Sequence, residues 1–170
     1  MQCKAADVLL KTLMLDALYR TAYRVAYRGA RIYWHVFRPE NHGALVALWC
    51  AGRVLLVKNS YVDYYSLPGG NVRANETAED AAIRELKEEI NLVVERGKLI
   101  TALVHTHEWQ GRPDHVVIFA LELEQTPAIR VDHREVVSAE WLLPQEALSR
   151  DLFPPLRQVI EQHVAAQSTP

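Results

Sequence analysis

The sequence predicts an α/β fold: a mixed sheet covered by helices, preceded by a separate amphipathic helix. Three observations lead there. Strand-like and helix-like segments interleave from residue 43 onward. An acidic helix with an apolar stripe lies mid-chain, and a helical pattern fills the first forty residues. At 170 residues, 49% hydrophobic and 24% charged, the chain has the make-up of one globular unit with a sizeable core.

In chain order, Ala5 to Arg28 reads as a helix with Leu9, Leu10, Leu13, Leu18, Ala22 and Val25 among its apolar positions. Arg20, Arg24 and Arg28 form a stripe at i, i+4 and i+8 beside a parallel stripe of Tyr19, Tyr23 and Tyr27. Such a helix suits packing on the body or across a homodimer interface, peripheral contact with an anionic membrane, or a face turned to phosphate. Ile32 to Phe37 reads as a first strand. Ala44 to Cys50 and Val54 to Lys58 read as a hairpin joined at Ala51-Gly52, followed by an aromatic loop, Tyr61 to Tyr65. Thr77 to Asp80 has the form of a helix start, and Ile83, Leu86 and Ile90 give the stripe behind it. Leu99 to Glu108 and His115 to Glu124 are strand-like around a turn at Gly111-Arg112-Pro113-Asp114, and Val136 to Leu142 is a last strand. Pro144 opens a short helix, and Leu156 to Ala166 forms a final amphipathic one.

Composition excludes several classes of function. A net charge of −2 gives no argument for specific nucleic-acid binding. The first forty residues carry a balance of +4, against −6 for the remainder. No apolar run approaches the roughly 20 residues of a membrane span, and Lys4, Asp7, Lys11 and Asp16 interrupt any signal-like stretch. Cys3 and Cys50 match no metal spacing and fit inert thiols in a reducing cytoplasm.

The chemistry concentrates between Leu67 and Leu92, LPGGNVRANETAEDAAIRELKEEINL. Glu85, Glu88 and Glu89 share one helix face at i, i+3 and i+4, where like charges cost a bare helix roughly 0.2–0.5 kcal/mol per pair. A hard divalent cation among them reverses that cost, because magnesium and manganese prefer oxygen ligands. ELKEE alone reads equally as a solvated surface. The Gly69-Gly70 turn ahead of it lets backbone approach a ligand closely, bringing main-chain and carboxylate oxygens to one site.

Gly70, five residues, Glu76, seven residues, then Arg84-Glu85-Leu86-Lys87-Glu88-Glu89-Ile90-Asn91-Leu92 resembles the Nudix box, with Asn91 where the family pattern has Gly. Asn is the usual second choice where a left-handed residue ends a helix. The likeness covers the 23 residues 70–92 closely, and the order of elements fits for residues 43 to 150. It implies a Nudix-like α/β/α sandwich over residues 39–170, with residues 1–38 as a helical extension.

The resemblance further implies Glu85 and Glu89 as the main metal ligands, Glu88 as a further ligand or a base, and the Gly69 carbonyl as another ligand. It makes Arg84 and Glu76 an ion pair behind them and Mg2+ or Mn2+ the cofactor. Glu135, six residues before Trp141, matches the further carboxylate that many members bring from a late loop, ahead of Asp132 and Glu140. The implied reaction is water attack on the diphosphate of a nucleoside diphosphate linked to a moiety X: a nucleotide sugar, a dinucleotide or a nucleoside triphosphate. A non-catalytic nucleotide-sensing or regulatory module is the alternative. His107 and Trp109 stand where two substrate subgroups carry Pro and Tyr. Candidate substrate contacts are Arg53, Tyr65, His105, His107 and Trp109, by charge, stacking or strand position.

Overall fold

The computed structural model describes residues 2–167, with side chains from residue 10 onward. The side chains of Cys3 and Leu9 therefore lie outside the described residues. Helix α1 (Gln2–Phe37) precedes strands β1 (Asn41–Cys50), β2 (Arg53–Asn59), β3 (Tyr65–Ser66) and β4 (Gly69–Asn71), then helix α2 (Ala78–Ile90). Strands β5 (Ile100–Trp109), β6 (Arg112–Leu123) and β7 (Val136–Leu142) follow, and then helices α3 (Pro144–Leu148) and α4 (Pro154–Gln167).

The sheet runs β3-β2-β1-β6-β5, with β4 also paired to β1 and β7 to β2. β1 and β6 are the parallel pair of strands, from Asn41↔Asp114 to Cys50↔Leu123; the other strand pairings are antiparallel, and a lone parallel bridge joins Tyr65 to Leu152. β1 is buried from Gly43 to Cys50 because it is covered on both faces, which explains its unbroken apolar run. Leu45, Ala47 and Trp49 join a core with Leu156 and Ile160 of α4, whereas Ala44, Val46 and Leu48 join one with Ala82, Leu86 and Ile90 of α2. The layers are thus helix, sheet, helix, with α1 laid across one end.

Two expectations need correction. Ile32 to Phe37 is no strand, because α1 continues to Phe37 and ends where Pro39 follows a left-handed Arg38 at φ 46°. Side-chain contacts along the helix outweigh β-propensity there: Trp34 meets Tyr27 edge-on at 5.7 Å, and Tyr33 meets Phe37 at 4.8 Å. The turn between β5 and β6 is also tighter than Gly111 to Asp114. Gln110 (φ 53°) and Gly111 (φ 82°) make a two-residue hairpin turn, so Arg112 to Asp114 already lie in β6. Among the described residues no helix is long and apolar enough to cross a membrane.

α2 is framed by its own caps. The Thr77 hydroxyl accepts from the Asp80 N–H at 3.1 Å and donates to its carboxylate at 2.8 Å. At the other end Asn91 adopts the left-handed conformation (φ 57°, ψ 32°), and its N–H donates to the Leu86 carbonyl. Asn91→Gly is therefore expected to hold or raise stability, and Asn91→Ala to lower it by about 1 kcal/mol, since the left-handed region penalises a Cβ. Urea midpoints check this; an Ala variant as stable as Gly would show that the cap is not under that constraint.

Candidate active site

A cavity of about 380 Å3 opens between α1 and the sheet. One end is formed by Gly69, Gly70, Asn71 and Glu135, the other by aromatic side chains that include Tyr27, Trp34, Trp109 and Phe153. The acidic helix docks beneath the first end. Glu89 is 7% exposed, and its Oε2 accepts the Gly69 N–H at 2.8 Å. Gly69 sits at φ 143°, where a Cβ would come within 2.3 Å of the Ala44 carbonyl oxygen, and a Cβ on Gly70 would come within 2.6 Å of Glu85 Oε1. Gly69 is thus required by its φ and by the backbone beside it, whereas a Cβ at Gly70 would displace the Glu85 carboxylate.

Arg84 organises the acids. Its Nε and Nη2 donate to the two oxygens of Glu76 at 2.8 and 3.0 Å, and Nη1 reaches Glu85 at 2.5 Å and Glu88 at 3.3 Å. Nη2 also donates to the Asn71 carbonyl at 3.1 Å, tying the helix to the glycine turn. Arg84 and the Arg73 N–H hold the Glu76 carboxyl down at about 2. Glu88 is half exposed at the rim, with Arg73 at 3.5 Å.

Electrostatics run the other way deeper in. Burial pushes the Glu89 carboxyl well above the usual range, opposed by the Gly69 N–H and reinforced by Glu85, Glu135 and Asp132. Glu135 is raised too, by burial first and by Glu85 and Asp132, against the Tyr61 hydroxyl that donates to it at 2.9 Å. Asp132 itself is turned to the backbone N–H groups of Arg134 and Val136, each at 3.1 Å, and Glu140 lies near Arg150.

Among the described residues no three acidic, histidine or cysteine side chains stand together closely enough to hold a metal as they are, since Glu85 is turned to Arg84. The donor chemistry nevertheless fits a hard divalent cation. Glu89 is a buried carboxyl in the field of three further carboxylates, Glu85, Glu135 and Asp132, and a cation supplies the opposite charge that such a cluster needs.

α1 closes the cavity with the stripe that the sequence singled out. Tyr27 packs on Tyr61 at 4.9 Å and Tyr23 at 6.1 Å, and Tyr23 also interacts with Glu135. Arg24 Nε donates to the Ser60 carbonyl at 2.9 Å and Arg20 Nε to that of His133 at 2.8 Å. Two arginines of this stripe thus meet backbone oxygens of the body.

The substrate contacts expected from sequence are divided. Trp109 lines the cavity, while Tyr65 does not: Tyr64 lines it, and Tyr65 lies beneath Lys58 and Arg150. Arg53 is at the β1–β2 hairpin, close to Glu146 at 3.9 Å, away from the cavity. His105 and His107 lie on β5 with their rings tilted by 46° at 5.0 Å, and His107 is shut behind Trp109 and Phe153. The lining residues that sequence did not single out include Trp34, Arg112 and Phe153 as well as Asn41 and Asp114. The last two are 73 positions apart and meet only through the parallel β1/β6 register, with Asn41 Nδ2 donating to Asp114 Oδ1 at 2.7 Å.

A mixed sheet between helices, with glutamates of one helix gathered under a glycine turn, defines a Nudix-type hydrolase. The chain belongs to the NUDIX domain family, whose model matches residues 38–163. A MutT NUDIX hydrolase from Burkholderia pseudomallei is 25% identical, with a TM-score of 0.64 over 73% of this chain and 98% of that one. The dihydroneopterin triphosphate pyrophosphohydrolase of E. coli is 26% identical, with a TM-score of 0.65 over 74% and 95%. The NUDIX domain of Shewanella oneidensis NrtR, solved with ADP ribose, is 19% identical at a TM-score of 0.66 over 78% and 92%, a likeness of fold alone. No curated protein matches significantly.

His107 supplies a pH dependence. Both its ring nitrogens are buried without a hydrogen-bond partner, and burial lowers its pKa, opposed by Asp114 and aided by His105. The unfolded chain then takes up the proton first, so this contribution is intact above about pH 6.5 and is lost as pH falls through the lower folded value. His107→Phe is expected to flatten the fall in urea midpoint between about pH 7 and pH 5.5. An unchanged slope would assign that fall to other groups.

Proposed function

We propose that this protein hydrolyses the diphosphate bond of a nucleoside diphosphate linked to a moiety X, with Mg2+ or Mn2+ as cofactor. The observation that carries the reading is the convergence of Glu89, Glu85 and Glu135 beside the Gly69-Gly70 turn, at one end of a cavity whose other end is aromatic. Family enzymes generally use a divalent metal. Glu85, Glu89 and the Gly69 carbonyl would hold it, with Glu88 a further oxygen on the rim. Such an ion, when bound, neutralises phosphate charge and lowers the pKa of a bound water.

Arg84, anchored on Glu76, keeps Glu85 and the Asn71 backbone in place. Glu135 lines the cavity and has a raised carboxyl pKa, which suits it to take a proton from the attacking water better than rim-exposed Glu88. The water oxygen bonds to one phosphorus, and the bridging oxygen leaves with the other phosphate. The E. coli relative is named for a triphosphate, which favours a nucleoside triphosphate among the choices of X. We place residues 39–170 as the catalytic unit, with residues 1–38 as an appended helix, and the protein in the cytoplasm, where the free, buried Cys50 stays reduced.

Turnover of nucleoside triphosphates, dinucleotides and nucleotide sugars, followed by phosphate release with magnesium or manganese, tests the reaction. Glu89→Gln is expected to lower kcat by about a thousandfold or more, as for loss of an interaction made in the transition state. The same change is expected to raise the melting temperature of the metal-free protein at pH 7. A raised folded pKa means that stability is lost as pH climbs above about 4.5, and Gln removes that loss while retaining the oxygen that accepts from Gly69. Full magnesium-dependent turnover by the variant would refute the site. Tight nucleotide binding without hydrolysis by the native protein would favour the sensing module.

A further inference from the structure

The aromatic end of the cavity holds one buried charge that the proposed hydrolysis does not use. Asp114 is 4% exposed and lines the cavity. Its Oδ1 accepts from Asn41, while the neighbour of Oδ2 is His107 Nε2 at 3.8 Å, beyond hydrogen-bond reach. A carboxylate has about four acceptor positions, so Asp114 can accept further N–H donors from a ligand in the cavity. Arg112 lines the same end, its guanidinium 3.8 Å from the centre of the Trp34 ring.

The walls are flat and aromatic on both sides. Trp109 and Phe153, 5.3 Å apart, stand on the sheet side. Tyr27 and Trp34 stand on α1, and between them Ala26 and Ala30 keep that helix face low. Larger residues at those two alanines would fill the space. The volume of about 380 Å3 is within the range of small-molecule pockets.

We propose that this end is a subsite for a planar heteroaromatic ring bearing N–H donors beside a carbonyl, an edge of guanine or pterin type, and that α1 forms one of its walls. Asp114 accepts from the ring N–H groups, Arg112 donates to the carbonyl, and the aromatic side chains stack on the ring faces. An adenine or cytosine edge offers Asp114 fewer N–H donors and presents an acceptor where the guanine edge has a donor. The assignment rests on the reading that the phosphates lie at the Gly69-Gly70 end. It also gives α1, which precedes the family-matched residues 38–163, a direct part in substrate choice.

Tryptophan fluorescence of the whole protein in EDTA, where turnover is stopped, reads the subsite through Trp34 and Trp109. GTP, ATP, CTP, UTP and inorganic tripolyphosphate are the probes. GTP is expected to bind about tenfold more tightly than the other nucleotides, the worth of one or two good hydrogen bonds, and tripolyphosphate to leave the fluorescence unchanged. Asp114→Asn should remove the preference for GTP. Ala30→Leu, on the helix surface, should weaken all four nucleotides and, in the presence of magnesium, raise KM more than it lowers kcat. Equal binding of the four nucleotides, a matching response to tripolyphosphate, or unchanged affinity in Ala30→Leu would each overturn the proposal. Hydrolysis without base preference would sink this inference alone, and GTP-selective binding without hydrolysis would sink the proposed reaction alone.

Discussion

The hydrogen bond from the Gly69 N–H to Glu89 ties the layers of this protein to its chemistry. A carboxyl group removed from water needs a partner, and the backbone amide of a glycine turn is the one it has. That bond positions α2 against β4, and β4 is in turn paired with β1, the strand buried on both faces. Gly69 can present its N–H there only because it lacks a Cβ, which would collide with the Ala44 carbonyl. The identity of one residue, the depth of one acid and the placement of one helix are therefore a single constraint.

Arg84 balances the same helix on its outer side. Its bidentate contact with Glu76 uses the planar fork of the guanidinium, and the remaining donors reach Glu85, Glu88 and Asn71. Without it, three glutamates on one face would repel one another and the loop before α2 would lose its anchor. Among the described residues the deep carboxyls have no such cation bonded to them. Glu89 and Glu135 are held above their ordinary range by burial and, in both cases, by Glu85 and Asp132, so the protein keeps acid density where a ligand of opposite charge would relieve it. This is the electrostatic pattern of a site whose residues serve function at the expense of stability.

What could be read from the sequence was what is local. The acid triplet, the Thr77 cap and Asn91 at the helix end depend on offsets of three or four residues, and a 3.6-residue period fixes those without tertiary information. The β1–β2 hairpin was legible for the same reason, since Ala51 and Gly52 take the positive φ values that a two-residue turn requires. Asn41 and Asp114 carried no signal, because a parallel pairing across 73 positions brings them together. Tyr64 and Tyr65 could not be distinguished, since Tyr64 ends the loop and Tyr65 begins β3, and which of them faces the cavity depends on which sheet edge β3 joins. Ile32 to Phe37 failed for a related reason: its β-rich composition was overridden by contacts that α1 makes with itself and with the β5–β6 turn.

The division between local and non-local extends to function. The acids that bear on diphosphate chemistry come from one continuous stretch, supplemented by Glu135, so their arrangement travels with the helix. The cavity that must accept the rest of the substrate is built from α1, the starts of β1 and β6, the end of β5 and the loop before α4. Tyr23 joins the two systems, because it stands on α1 yet interacts with Glu135. A shift of α1 would change the walls of the aromatic end and the environment of Glu135 together. On the proposed reaction, substrate fit and the readiness of that carboxyl would for this reason be coupled, through a helix that precedes the family-matched residues.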